Sequence, residues 1–415
     1  MATWVERRWE PPHTATSHRK TGAGRTYRAY VPSPLSSTAP TIPSSVATRS
    51  LEIEHAIIDL TQTPGFDQAA PFLMRAEALA SSSIEGVVPT PQDVALAELA
   101  QYARINGTSP EARQVAAQIS ILSNLGHTPP ARQPFTVGTI TDMHRVLHGP
   151  KGPHLRQEQS WIGGSLFHPL SAEYVPPPPE NIADLMVDLV GYLNGATHGA
   201  LIQAAFAHAQ FAAIQPLAGS NGEIGRVLIH AVLRRRGLSS AVLPISAVLG
   251  TWPDRYVNGL AGYRHDDAGA AQWLEIFLEA TALAVDQAHR CIDDIAQLRT
   301  TWAARCSQRR ERVGRRRELR SDSIDAHILA NLAEHPMVTA GTVATIFDAS
   351  ETVARRALDD LSDAGIVRHV PSKRRLRVYV ADEVLDLIAH TQRRLENIRM
   401  DNPSTAGFSD VRTTL

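Results

Sequence analysis

Cysteine is nearly absent: Cys291 and Cys306 are the two in 415 residues. Neither has metal-ligand spacing around it, which excludes a disulfide framework and a zinc ribbon and suits a reducing cytoplasm, the compartment expected for this chain. Net charge is lacking too, at −1 with Lys+Arg 41 against Asp+Glu 42. No global field draws such a chain to nucleic acid or to a membrane surface, so any such affinity must come from local patches. No uninterrupted apolar run approaches the ~18 residues of a membrane helix, and no membrane partner is expected. The first residues carry Glu6, Arg7, Arg8 and Glu10 where a signal peptide would have an apolar core. The 17 histidines form no HExxH and no paired cluster, so no zinc site is expected. What remains is ordinary globular composition, 43% hydrophobic and 20% charged, in a chain long enough for about two or three domains.

The most informative stretch runs from Ala204 to Gly237, AAFAHAQFAAIQPLAGSNGEIGRVLIHAVLRRRG. An alanine-rich apolar segment ends at Pro216, turn residues follow at Gly219 to Gly222, and a second apolar helix begins near Ile224. Backbone N–H groups of such a turn at a helix N-terminus point one way and form an anion cradle in outline. From Gln215 to Arg226 the residues resemble the Fic family signature H-P-F-x-[D/E]-G-N-G-R-x-x-R, with Pro216, Asn221, Gly222 and Arg226 in register. The departures fall on the chemistry. The family's general base is Gln215 here, its magnesium-holding acid is Gly219, and its first phosphate-contacting arginine is Glu223, while Leu217 replaces phenylalanine and Ser220 a glycine.

Glutamine has no usable basicity, and a positioned general base is worth about 10²–10⁴ in rate, or roughly 3–5 kcal/mol. Glycine offers a hard cation no oxygen. A carboxylate at position 223 facing phosphate at about 4 Å would repel it by about 4 kcal/mol at an effective dielectric of 20. The nucleotide loop is thus expected to comprise Ser220, Asn221, Gly222, Glu223 and Arg226, with no metal site, unless Glu223 recruits an ion from the other side of the loop. ATP with Mg2+ is the implied cofactor only if the ancestral site still works.

Upstream, Arg75 to Gly86 reads RAEALASSSIEG and resembles the inhibitory motif [S/T]-x-x-x-E-[G/N] of autoinhibited Fic proteins, with Ser81, Glu85 and Gly86 in register. The resemblance implies that Glu85 pairs with Arg226; the same pair could equally be a buried structural ion pair, costly to break at about 3–5 kcal/mol. Residues 159–175, with Gly-Gly and His-Pro turns between short apolar runs, read as a β-hairpin and resemble the Fic flap. That flap would dock a protein target by strand addition. His208, about 10 Å along the helix from Gln215, reads as structural. Tyr256, Tyr263 and Arg264 fall where the family borders its base pocket.

Residues 321–385 resemble a winged helix-turn-helix. Helices are expected over Ser323–Ala333, Thr339–Phe347 and, from an N-cap at Ser350, to Asp363, with Gly365 at C′. Strands follow at Ile366–His369 and Leu376–Val380 around a basic wing. Arg355, Arg356, Lys373, Arg374, Arg375 and Arg377 are the candidate DNA contacts. Glu351, Asp359, Asp360 and Asp363 on the same helix oppose that reading, and such domains also serve protein docking and dimerisation. The arginine run from Arg305 to Arg317 adds basic charge, or is a solvated helix.

The expected architecture is mainly α: an extended arm over 1–50, an N-terminal helical region with the inhibitory-type motif over 51–135, a Fic-like core with its flap over 136–290, a basic helical connector over 291–320, the winged helix, and a helix and tail over 386–415. The function implied is that of a catalytically impaired relative of Fic AMP-transferases, a nucleotide- or target-binding regulator associated with DNA. An active adenylyltransferase, or another phosphoryl-group transferase with an altered loop, stands as the rival, and a transcription factor whose Fic core dimerises or senses a ligand as a third reading.

Overall fold

The computed structural model describes residues 2–10, 24–38, 40–103, 105–127, 134–149, 155–239, 242–314, 319–371 and 377–400. The chain starts with two strands, β1 (Thr3–Arg8) and β2 (Thr26–Val31), paired antiparallel with Trp4 opposite Tyr30. An extended arm was expected here. The strands form because Trp4, Tyr27 and Tyr30 give alternate positions an apolar face, and Tyr30 N–H bonds the Val175 carbonyl at 2.9 Å, fastening the pair to the body.

Helices α1 (Ser44–Gln62) and α2 (Phe66–Ile84) follow, then α3 (Pro91–Tyr102), α4 (Pro110–His127) and α5 (Val137–His148). α3 ends at Ala103, before α4 begins at Pro110. Next come α6 (Ile182–Asn194), α7 (Ala200–Ile214), α8 (Asn221–Arg235), α9 (Ile245–Leu249) and α10 (Pro253–Tyr263). α7 is buried on almost every side, as its all-round alanine and phenylalanine content dictates. These helices make the body that the resemblance implies.

One helix then unites the chain: α11 runs unbroken from Asp267 to Arg312, 46 residues or about 69 Å. Its first half packs in the body through Trp273, Phe277 and Ile292; its second carries Trp302 against the C-terminal unit. That unit comprises α12 (Ile324–Asn331), β3 (Met337–Thr339), α13 (Ala340–Ile346), α14 (Glu351–Asp363), β4 (Arg368–Pro371), β5 (Arg377–Val380) and α15 (Asp382–Met400). The sheet order is β3-β5-β4, all antiparallel. This element order is consistent with a winged helix-turn-helix, and it has a third strand, β3, that the sequence pattern hid. Ser350 caps α14, and Gly365 at φ 70° ends it with Ile366 N–H reaching the Leu361 carbonyl at 3.0 Å.

Ile328, Leu332, Val343 and Leu358 are continuous with the main core, and Met337, Val378 and Val380 pack on Ala95 and Leu99 of α3. The docking is polar as well as apolar. Buried Arg75 of α2 donates to the carbonyls of Ala333, at 2.6 Å, and Glu334, past the end of α12, and is bidentate to Glu98 of α3 at 2.9 and 3.0 Å. From the other side Arg305 pairs with Glu383, and Arg309 with Asp363. Among the described residues no helix is long and apolar enough to cross a membrane.

Arg75→Ala removes one charge of a pair that is largely buried and orphans two carbonyls. Urea unfolding is expected to show a loss of about 3 kcal/mol, with earlier proteolysis in the C-terminal unit; an unchanged midpoint would mean the apolar contacts alone hold it.

Candidate functional site

The loop between α7 and α8 is built by three clamps. Gln215 ends α7 in the left-handed region at φ 47°, and Ser220 precedes α8 at φ 51°. Asn221 closes the turn between them, its amide oxygen accepting from Leu217 N–H at 2.8 Å and its NH2 donating to the Leu217 carbonyl at 3.0 Å. Arg156, which sequence reasoning missed, is the third. Its Nε donates to the Gln215 carbonyl at 2.7 Å, and its other nitrogens reach the Pro177 and Glu158 carbonyls. A guanidinium at a helix C-terminus satisfies carbonyls that have no partner inside the helix and complements the dipole. Burial pulls Arg156 down to about 10, with Tyr174 and Tyr27 opposing, so it stays charged. Nothing in the local sequence pattern marks it.

Gln215 does not reach outward. Its side-chain NH2 folds back onto the Ala212 carbonyl at 3.1 Å. Glu223 corrects a sequence expectation: its side chain does not face a bound phosphate. It is fully buried, bonded to Ser82 Oγ at 2.9 Å and to Gln114 Nε2 at 2.8 Å. The repulsion argued above therefore does not arise, since α8 turns this position toward α2 and α4. The same geometry removes Glu223 as a replacement metal ligand. Gly219 presents no oxygen from its side chain, and Glu85 is engaged elsewhere, so the donors at this loop do not fit a magnesium ion.

Arg226 is 1% exposed, yet four of its donor contacts are met. Nε reaches Ser81 Oγ at 2.8 Å, NH2 reaches both the Ser81 carbonyl at 2.8 Å and Glu85 Oε1 at 2.9 Å, and NH1 lies 3.4 Å from Tyr256 OH. Burial alone would lower its pKa; the Tyr256 hydroxyl and the Glu85 carboxylate outweigh burial and hold it above its ordinary value. Ser81 and Ser82 continue through Gln118, which bonds both hydroxyls, so one buried network joins Arg226 to Glu223 across α2 and α4. Gly86 places Glu85. At φ 78° it ends α2 with Gly86 N–H on the Ser83 carbonyl and Val87 N–H on that of Ser82, the Schellman arrangement. Gly222 makes the room: a Cβ there would stand 1.8 Å from Glu85 Oε1.

His208 lies under Arg226, 1% exposed, with Nε2 2.8 Å from Tyr256 OH. Burial first, then the Arg226 charge, lowers it to about 3, so it is neutral and structural. Tyr256 is buried between them, Tyr263 OH donates to Gln210 Oε1 at 3.0 Å, and Arg264 lies over the Tyr174 ring at 3.7 Å. The flap is not the expected hairpin. Ile162 and Tyr174 form a single antiparallel bridge, and Gly163 and Gly164 then turn left-handed into a short 3-10 turn at Pro169–Ser171. A Cβ on Gly164 would strike the Ser171 carbonyl oxygen at 2.2 Å, so the loop folds too tightly on itself for a ladder. Its tip leaves Leu166 76% exposed.

The candidate DNA contacts divide. Arg355 pairs with Glu351 at 2.7 Å and Arg377 lies 3.7 Å from Asp359. Arg356 is exposed on α14, while Lys373, Arg374 and Arg375 lie outside the described residues. Arg305 and Arg309 of the arginine run hold α11 to the C-terminal unit, and residues 315–317 also lie outside the described residues.

A mostly helical body with this loop, closed by the α2 motif, defines a Fic-like fold. Residues 134–233 match the model of the Fic/DOC family. Among solved structures, a Fic family protein from Desulfovibrio desulfuricans is 18% identical with TM-score 0.46, covering 90% of this chain and 98% of that one. A Fic domain containing signaling protein from Bacteroides thetaiotaomicron is 15% identical with TM-score 0.46, covering 59% and 98%. Fic-1 from C. elegans is 17% identical with TM-score 0.46, covering 60% and 74%. No curated protein matches the chain.

The pKa of His208 sets a test. Its folded value of about 3 lies below the ordinary imidazole value of 6.5, so the unfolded chain binds the proton more readily. The stability gained by a neutral ring is complete above the unfolded value and is lost as pH falls toward the folded one. Between about pH 7 and about pH 5 the unfolding free energy of the wild type is expected to fall by about 2 kcal/mol more than that of His208→Gln. Parallel urea-unfolding curves would contradict the assignment.

Proposed function

We propose that this chain is a Fic-family regulator that binds rather than transfers AMP. The observation that carries the reading is the fate of the three chemical positions. Gln215 is folded onto its own helix, Gly219 carries no ligand, and Glu223 is buried against Ser82 and Gln114. The anion-facing part of the loop keeps only its backbone and Arg226, and Arg226 is spoken for by Ser81 and Glu85. Without a general base about 10²–10⁴ in rate is lost.

The flap over residues 159–175 is the proposed contact for a protein target, with Leu166 exposed at its tip. The winged unit is the proposed contact for DNA, through Arg355, Arg356, Arg377 and the wing residues 373–375. The surface ion pairs of Arg355 and Arg377 are worth about 0.2–1 kcal/mol each and yield readily to phosphate. With Arg305 and Arg309 committed to packing, the electrostatic footprint is smaller than the arginine count suggests.

Two readouts on the purified full chain test this. Labelled ATP with magnesium is expected to leave no AMP on the chain or on lysate proteins, with the wild type or with Glu85→Gly. Binding to a random DNA duplex is expected to weaken steeply from about 50 to about 200 mM salt, with a log–log slope of about −5. AMP transfer by Glu85→Gly would restore the enzyme reading, and a flat salt response would remove DNA.

A further inference from the structure

Serine is a preferred helix cap, and Ser220 stands at the N-cap of α8, yet its side chain makes no capping bond to the first turn. Its backbone sits at φ 51°, ψ 30°, a left-handed conformation disfavoured for a residue with a Cβ. The hydroxyl instead meets Nε2 of His148, 2.9 Å away. His148 is the last residue of α5, 72 positions earlier, and its ring stands 4.6 Å from that of His144, one turn before it. Nucleophile and base within 2.6–3.2 Å are, as an order-of-magnitude criterion, about the separation that covalent catalysis uses. Ser220 is half-buried and His148 exposed, so a small molecule can approach the pair.

The neighbouring groups sharpen the assignment. Asn221 is spent on Leu217, Gln215 on Ala212, and Glu223 on Ser82 and Gln114, which leaves Ser220 as the reactive side chain of the loop. Because the Ser220 hydroxyl does not cap α8, it leaves the N–H groups of that first turn for an oxyanion. The charge chemistry chooses the substrate class. A phosphoryl donor brings several negative charges and needs a metal or a free guanidinium, and this loop has neither a fitting carboxylate nor an uncommitted Arg226. An acyl carbonyl is neutral and needs only backbone donors.

The geometry points to a serine acyl-transfer site: Ser220 as nucleophile and His148 as its base, acting on small carboxylic esters or thioesters. Ser220 Oγ attacks the acyl carbon while its proton passes to His148 Nε2. The bond from that carbon to the leaving oxygen or sulfur breaks, and the same proton goes to the departing alcohol or thiol. Water, deprotonated by Nε2, then attacks the acyl-serine; the acid leaves and Ser220 regains its proton. This goes beyond the reading of the chain as a regulator and stands independently of AMP transfer.

The test is labelling of the full chain with a fluorophosphonate probe, read by intact mass and peptide mapping, alongside turnover of p-nitrophenyl acetate. The wild type is expected to take one adduct, mapped to Ser220. Ser220→Gly suits the left-handed backbone, keeps the urea midpoint or raises it, and is expected to take none. His148→Gln keeps a hydrogen-bonding side chain without the base and is expected to label and turn over about 100-fold more slowly. An unlabelled wild type, an adduct at another residue, or equal rates in His148→Gln would overturn the proposal and leave the contact as a staple between α5 and the loop.

Discussion

Burial of α2 is the constraint on which the rest depends. Twelve of its residues are buried, among them Arg75, Glu77, Ser81 and Ser82. A polar group taken out of water costs several kcal/mol unless it is paired, so each of these dictates where another part of the chain sits. Arg75 holds the start of the winged unit. Glu77 accepts from His230 Nε2 at 2.9 Å and from Ser246 N–H at 2.7 Å, fixing α8 and α9. Ser81 receives Arg226, Ser82 receives Glu223, and Glu85, at the glycine-terminated end, completes the Arg226 shell. Removing any one partner leaves a buried polar group short of a hydrogen bond, so the helix, the loop and the C-terminal unit are specified together.

The altered loop is consistent with this constraint. A charge reversal at position 223 is tolerated because the side chain turns inward, where Ser82 and Gln114 meet it. Gly222 is required by the Glu85 carboxylate that lies against it, and Ser220 tolerates a left-handed backbone where a glycine would have none of the strain. The result is a loop in which the side chains of Gln215, Glu223 and Arg226 are all committed to packing.

Much of this was legible from residues alone, and the gaps have physical causes. The helix-turn-helix around Gln215 to Arg226, the end of α2 at Gly86 and the helices of the winged unit announce themselves through apolar periodicity, caps and C′ glycines, all local signals. The strands β1 and β2 lie some twenty residues apart in a Pro/Ser/Thr-rich arm, so pairing is what defines them. The flap has the composition of a hairpin, but Gly163 and Gly164 turn it after one bridge. The direction of Glu223 is a property of the helix face it shares with α2 and α4, which residue type does not reveal. Arg156 and the contact of His148 with Ser220 join positions 59 and 72 residues apart, and no periodicity within either segment encodes them.

The most direct measurement is calorimetric titration of ATP into the wild type and into Glu85→Gly, each with and without magnesium. Release of Glu85 frees one Arg226 N–H, its NH2 still held by the Ser81 carbonyl, but supplies no metal ligand, so the account predicts that any binding gained by the variant is the same with and without the ion. Magnesium-dependent tightening in Glu85→Gly would contradict it, by showing that the loop can still assemble a metal–nucleotide site.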